Sequence, residues 1–228
     1  MPDYFDVEQF DFAWTDARQR IGTDRDTFQL FNMAWHGVAQ RALAADMYLA
    51  RFAALPPYGY KSTYANNLEH DMVLVAYLQS ICSAADCLAF AAFSLAATAH
   101  PSDFPSSKAE HLRSVSPPSV AKRFATHWPS EPLTAVIEGL SKEPSLRFIF
   151  DVRDVVTHRG VTPRTLYVGG ERAGTVTVPT QPKDLPDAWT SDLEVSRATM
   201  QSWRETLSTH LRPAPAAVIQ YLKRIGTG

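Results

Sequence analysis

"MVLVAYLQSICSAADCLAFAAFSLAATA", residues 72–99, is long and apolar enough to fit two very different environments. A run of about 20 apolar residues can span a bilayer. It can equally thread the middle of a helical bundle, touched on every side by neighbours. Three features favour the bundle. The apolarity leans on alanine; Gln79, Ser80, Ser83 and the single formal charge, Asp86, interrupt it; and no Lys/Arg cluster closely flanks it to set an orientation across a membrane. The stretch is therefore read as the central helix of a soluble domain.

Upstream, "NNLE" places Asn66 and Glu69 in the reciprocal relation of a capping box, so this helix is expected to begin there and to end at His100-Pro101. A second long helix precedes it. Thr23 is the expected N-cap with Asp26 three residues on, and the pattern runs to about Leu55, before "PPYGY". Phe28, Phe31, Trp35, Val38, Ala42, Ala45 and Leu49 recur at spacings of three and four, which paints one apolar stripe. Two helices of roughly thirty residues joined by a short loop form an antiparallel hairpin tens of ångströms long, at about 1.5 Å per residue.

Composition agrees with a compact domain. The chain has 228 residues, 45% of them hydrophobic and 20% charged, enough to bury a full core. A net charge of −2 provides no overall cationic field, so broad attachment to a nucleic-acid backbone is not expected and any such contact must be local. The first sixteen residues carry Asp3, Asp6, Glu8, Asp11 and Asp16 and no base, whereas Arg147, Arg153, Arg159, Arg164 and Arg172 concentrate between 147 and 172. Cys82 and Cys87 sit on different faces of one helical pattern and read as small core residues rather than a disulfide. The N-terminus has no basic region of a secretory signal, which points to the cytoplasm.

Beyond the hairpin the pattern is more broken. "SPPSVAKRFATHW" and "EPLTAVIEGLSK" read as two short helices, the first capped by Ser116 with Pro117 at N1. "EPSLRFIFDVRDVVTHRG" reads as a third, entered at Pro144 and left at Gly160. The periodicity then changes to two in "RTLYV" and "TVTVP" around "GGERAG", which predicts a β-hairpin over about 164–178, followed by a proline-rich loop. Ser191 and Glu194 are the expected capping pair of the first of two C-terminal helices, over about 192–225. The fold expected is a single all-α domain, mainly a helical bundle, with a small β-hairpin insertion.

The third of these helices carries Arg153-Asp154-x-x-x-His158 close to its exit. This resembles the R-x-x-x-x-H motif of the HEPN superfamily, small all-α proteins whose catalytic members are metal-independent endoribonucleases. The layout is similar too: a long helical hairpin, then the motif late in a further helix, over a core of about 25–160. The resemblance implies a homodimer in which motif-bearing helices of two subunits line one cleft, cleaving RNA without a cofactor, in a toxin or phage-defence setting with a possible antitoxin partner. It makes Arg153, His158 and Asp154 the candidate catalytic residues.

The chemistry suits these residue types. Cleaving an RNA phosphodiester without a metal needs a base for the 2′-OH, an acid for the leaving 5′-oxygen and a fixed cation for the charge on phosphorus. An imidazole titrates near neutral pH, so His158 fits either proton role. Arg153, always charged and able to fork two bonds to phosphate, fits the cation. Asp154 can orient either one. On an ideal helix, residues five apart are about 140° apart in projection, so Arg153 and His158 must converge through long side chains, helix fraying or two protomers. Asp86, alone in the most apolar helix, needs a partner, and Arg153 is the first candidate; this would be positioning or a structural ion pair. Arg159 and Arg164 are candidate phosphate binders.

Each residue also has a simpler reading. Arg153 can be a core-edge ion pair with Asp86 or Asp154; His158 can merely complement the helix dipole; Arg159 and Arg164 can be solvated surface; Phe148, Phe150, Trp35 and Tyr77 read as core. His36, His70 and His127 form no HxxxH or HExxH pattern, so no metal site is expected. "YVGGERAG" lacks the lysine and following helix of a P-loop, and no G-x-S-x-G occurs. The alternative function is a non-catalytic helical dimer that binds a partner protein or nucleotide.

Overall fold

The computed structural model describes residues 6–23, 25–56, 63–158, 165–166, 176–180 and 191–225, with the backbone alone for 155–158 and for the strands. The chain is mainly helical. Its elements are α1 (Val7–Ile21), α2 (Asp26–Ala54), α3 (Tyr64–Ala99), α4 (Ala109–Arg113), α5 (Pro117–His127), α6 (Pro132–Lys142), α7 (Pro144–His158), β1 (Thr165–Leu166), β2 (Val176–Thr180), β3 (Ser191–Val195), α8 (Arg197–Leu211) and α9 (Ala214–Ile225).

Helices α2 and α3 form the expected long hairpin, the most extensive helix pair in the fold. Gly37 marks a close approach of the two: a Cβ there would lie 2.8 Å from Cys87 Sγ, so the missing side chain lets Cys87 of α3 pack against α2. Around α3 stand α2, α5, α6, α7, α8 and α9. The alanines of its central part, Ala84, Ala85, Ala89, Ala91, Ala92 and Ala96, are buried, and that encirclement explains an apolar surface with no polar face. Among the described residues α3 is the one helix long and apolar enough to cross a membrane, and 72% of its most apolar window is buried against the rest of the chain. The Tyr77 hydroxyl donates to the Met200 carbonyl, pinning α3 to α8. Asp46 and Arg204 pair at 2.6 Å between α2 and α8.

Several boundaries differ from expectation. The N-terminal segment is a helix: Asp6 caps α1 by accepting from the Gln9 amide at 3.0 Å, and Phe10, Ala13, Ala17 and Ile21 form its buried stripe. The cap of α2 is Arg25, with no side-chain cap bond, rather than Thr23; the Thr23 carbonyl instead accepts from Gln29 Nε2 at 2.8 Å. Helix α3 starts earlier than Asn66, because Thr63 Oγ1 accepts the Asn66 amide at 3.2 Å. In α5 the expected Ser116 cap is present, with Ser119 Oγ accepting from the Ser116 amide at 3.0 Å.

Between α7 and α8 the described backbone consists of three short antiparallel strands in the order β1-β2-β3. Of the hairpin expected over 164–178, the "GGERAG" turn lies outside the described residues. The longest pairing is β2 with β3, Val176↔Val195 through Thr180↔Ser191. Ser191 is thus in a strand and caps no helix. Ser196 does so instead, accepting from the Thr199 amide at 3.2 Å, and α8 begins at Arg197. Leu193 and Val195 alternate with polar neighbours, a period of two that suits a strand.

Cys82 is buried and Cys87 half-buried, both as free thiols. Burial pushes the Cys82 thiol up to about 12, with Asp86 and Asp154 acting in the same direction and Arg153 against them. At neutral pH it stays protonated and behaves as a small apolar side chain.

Candidate functional site

Helix α7 buries Leu146, Ile149 and Val152, a spacing of three that turns one face onto α3. The polar residues fall on the flank. Arg147, Phe150, Asp151 and Asp154 follow the i, i+3, i+4, i+7 pattern of a single stripe, and Arg153 stands beside it. Together with Asp86 of α3, Ser116, Pro117 and Pro118 at the entry of α5, and Leu140 and Ser141 near the end of α6, they line an open groove of about 480 Å³.

Arg153 is the hub. Its Nε donates to Asp154 Oδ1 at 2.9 Å, and a second guanidinium nitrogen lies 2.8 Å from the same oxygen. Its third nitrogen lies 3.9 Å from Asp86 Oδ2, so the anticipated pair exists but is the longer of the two. The guanidinium carbon also sits 5.2 Å from the Phe150 ring centroid, a cation–π contact one turn back along the helix. Among the described residues these three partners hold the guanidinium, which lines the groove with its side chain 26% exposed.

Asp86 is not sealed in the core: its side chain is 45% exposed. Burial of the remainder pushes its carboxyl above the ordinary 3.8, Arg153 pulls it down and Asp154 pushes it up, with burial the largest effect. A folded value above the unfolded one means that the protonated form favours the fold. The associated stability is present below about 3.8 and is lost as pH rises through the raised value of Asp86. Asp86→Asn is therefore expected to melt with wild type at acidic pH and above it at pH 7. Paired thermal melts across that range check this, and a variant that melts below wild type at pH 7 would show the Arg153 attraction to outweigh desolvation.

Of the other expected site residues, His158 is the last residue of α7, and its side chain lies outside the described residues, as do Arg159 and Arg164. Phe148 was expected in the core but is 40% exposed, because it follows the buried stripe by two positions. Phe150 is partly buried and serves as a platform for Arg153. Trp35 and Tyr77 are fully buried. Arg147, Asp151, Ser116 and Ser141 are groove residues that motif reading passed over; the stripe spacing of Arg147, Asp151 and Asp154 was the available signal.

The groove holds three carboxylates and two guanidinium groups, with no histidine or cysteine in its described lining. Such a site can orient a phosphate through Arg153 while the carboxylates hold the guanidinium in place. It can also receive a cationic group. No protein-family model, no curated protein and no solved structure matches this chain.

Proposed function

We propose that this protein is a HEPN-like, metal-independent endoribonuclease acting as a cytoplasmic homodimer, in a toxin or phage-defence role, with the β-hairpin region as an insertion on the helical core. The observation that carries this reading is the Arg153 guanidinium, braced by Asp154 and Asp86 and open to a groove instead of sealed in the core.

In the proposed reaction a neutral His158 takes the 2′-OH proton, and the 2′-oxygen forms a bond to phosphorus. The P–O5′ bond breaks, and His158, protonated in the first step, gives its proton to the leaving oxygen. The products are a 2′,3′-cyclic phosphate and a 5′-OH end. Arg153 holds the phosphoryl oxygens as negative charge builds on them, a role its fixed fork suits better than a mobile ammonium. Because Arg153 and His158 leave the helix about 140° apart, a cleft shared by two subunits satisfies the geometry most simply.

A surface for the second subunit is available on α2. Met33, Leu43 and Met47 are 64%, 41% and 65% exposed and recur at the three- and four-residue steps of a helical seam, with His36 and Gln40 between them. The double variant Leu43→Glu, Met47→Glu is expected to elute as a monomer in size-exclusion chromatography and to lose RNA cleavage while keeping its helical spectrum. Dimeric elution would remove this face from consideration.

The decisive experiment incubates purified protein with mixed RNA in EDTA, alongside Arg153→Ala and His158→Ala. Cleavage that survives chelation and disappears in both variants supports catalysis; identical traces for all three reject it. One observation favours a second reading. Among the described residues Asp86, Asp151 and Asp154 outnumber Arg147 and Arg153 in the groove, a balance that suits a basic segment of a partner protein. That reading predicts no cleavage, and binding of a Lys/Arg-rich peptide that weakens with salt.

A further inference from the structure

At the far end of α3 a different set of side chains converges. His100 is the C-cap of α3, and the turn after it doubles back, with the Asp103 and Phe104 amides both donating to the His100 carbonyl at 3.2 and 3.0 Å. Arg123 of α5 donates to the Asp103 carbonyl at 2.6 Å, which ties this turn to α5. One turn further along the same face, four residues on, is His127. Its Nε2 lies 3.7 Å from Asp103 Oδ2. Ligand atoms of His100, Asp103 and His127 all lie within 4.8 Å of one another.

Both imidazoles are held by packing. His100 meets Trp128 edge-on at 5.1 Å and His127 at 5.1 Å, while His127 leans on Phe104 at 5.8 Å. Behind them Phe93, Phe104 and Phe124 are buried and Trp128 nearly so, an apolar backing of the kind that limits water access to a metal. The Asp103 carboxylate is 47% exposed, and its Oδ2 also accepts from Ser102 Oγ at 3.3 Å. Ligands bonded at about 2.0–2.2 Å around a tetrahedral zinc stand about 3.4 Å apart. Separations of up to 4.8 Å need a contraction of about 1.4 Å at most to reach this, shared by small side-chain rotations at all three residues.

We infer that His100, Asp103 and His127 bind a divalent transition ion of the zinc class, clamping the end of α3 to the end of α5 and leaving one coordination position to solvent. Two imidazoles and one carboxylate suit zinc, cobalt or nickel, whereas magnesium and calcium take all-oxygen sets. The clamp lies 14 residues along α3 from Asp86, about 20 Å at 1.5 Å per residue. That distance sets it apart from the proposed cleavage.

The test uses the full tag-free chain, cobalt as a spectroscopic probe and zinc in thermal melts. Wild type is expected to develop a visible ligand-field band that saturates at one equivalent of cobalt, is bleached by zinc and is absent with magnesium, together with a melting temperature raised by zinc. His127→Gln and Asp103→Asn should each weaken cobalt binding at least about tenfold, since even loss of a supporting second-shell contact costs about that much. Asp103→Asn changes only a partly exposed carboxylate, so it keeps the test valid if the histidine variant misfolds. No saturable band in wild type, or an equal band and equal melting shift in the folded variants, would overturn the assignment. RNA cleavage in EDTA tests the groove and is independent of either result.

Discussion

Replacing Arg153 by alanine is expected to slow RNA cleavage by about 10²–10³, the usual cost of losing one fixed donor to developing oxyanion charge. His158→Ala should cost about 10²–10⁴, the range of a lost general acid or base. Neither effect should come from unfolding. The Arg153 pairs with Asp154 and Asp86 are partly exposed, and such pairs contribute about 0–1 kcal/mol. Arg153→Lys keeps the charge but loses the fork that Asp154 and Phe150 orient, so it should fall between wild type and alanine. A shared cleft makes a sharper prediction. Mixing Arg153→Ala with His158→Ala under conditions that exchange subunits should restore part of the activity, because the heterodimer contains one intact guanidinium and one intact imidazole. Single-turnover rates with and without exchange measure this. Unchanged rates in the single variants would refute the catalytic roles; absence of restoration would confine each site to one subunit.

The long hairpin was legible because burial on one side leaves a periodic trace, and α3 because burial on all sides leaves none. The lone charge Asp86 announced a partner by the same logic, and the partner is Arg153, although the adjacent Asp154 competes for it at shorter range. Helix α1 was hidden by chemistry that resembles a solvated tail. Glu8 and Asp11 are exposed, while two members of its buried stripe, Ala13 and Ala17, are too small to stand out. The caps of α2 and α3 were misplaced by two and three residues: at α3 Thr63 and Asn66 are equally good cap types and only the bond made distinguishes them, while Arg25 caps α2 with no side-chain bond at all. At 191–195 a capping pattern competed with a period-two pattern, and pairing with β2 settled it. The cluster of His100, Asp103 and His127 leaves no local motif, because α5 must first fold back beneath the turn at 100–104. The exposed methionines of α2 were equally unreadable: an apolar residue in a helical stripe says that something can cover it, not what.

Trp35→Ala is expected to cost about 3–5 kcal/mol, the range for removing a large aromatic from a packed core. The indole is fully buried. It stacks on Phe10 with centroids 4.1 Å apart and rings 7° from parallel, contacts Phe31 at 5.6 Å, and donates from Nε1 to the Phe10 carbonyl at 3.1 Å. It thus fastens α1 to the hairpin by both shape and a directed bond. Against a typical total of about 5–15 kcal/mol, this is a large share. At about 2–4 °C per kcal/mol for a chain of this size, the melting temperature should fall by roughly 6–20 °C. Trp35→Phe keeps a ring against Phe10 and should recover much of the loss, forfeiting the hydrogen bond at about 1 kcal/mol plus the missing volume. The damage should be uneven. Helix α1 otherwise packs mainly on α9, so its amides should gain the most hydrogen exchange while those of α3 keep their protection until global unfolding. Equal exchange gains in α1 and α3, or a melting shift below about 3 °C, would mean that α1 owes its place to α9 rather than to this indole.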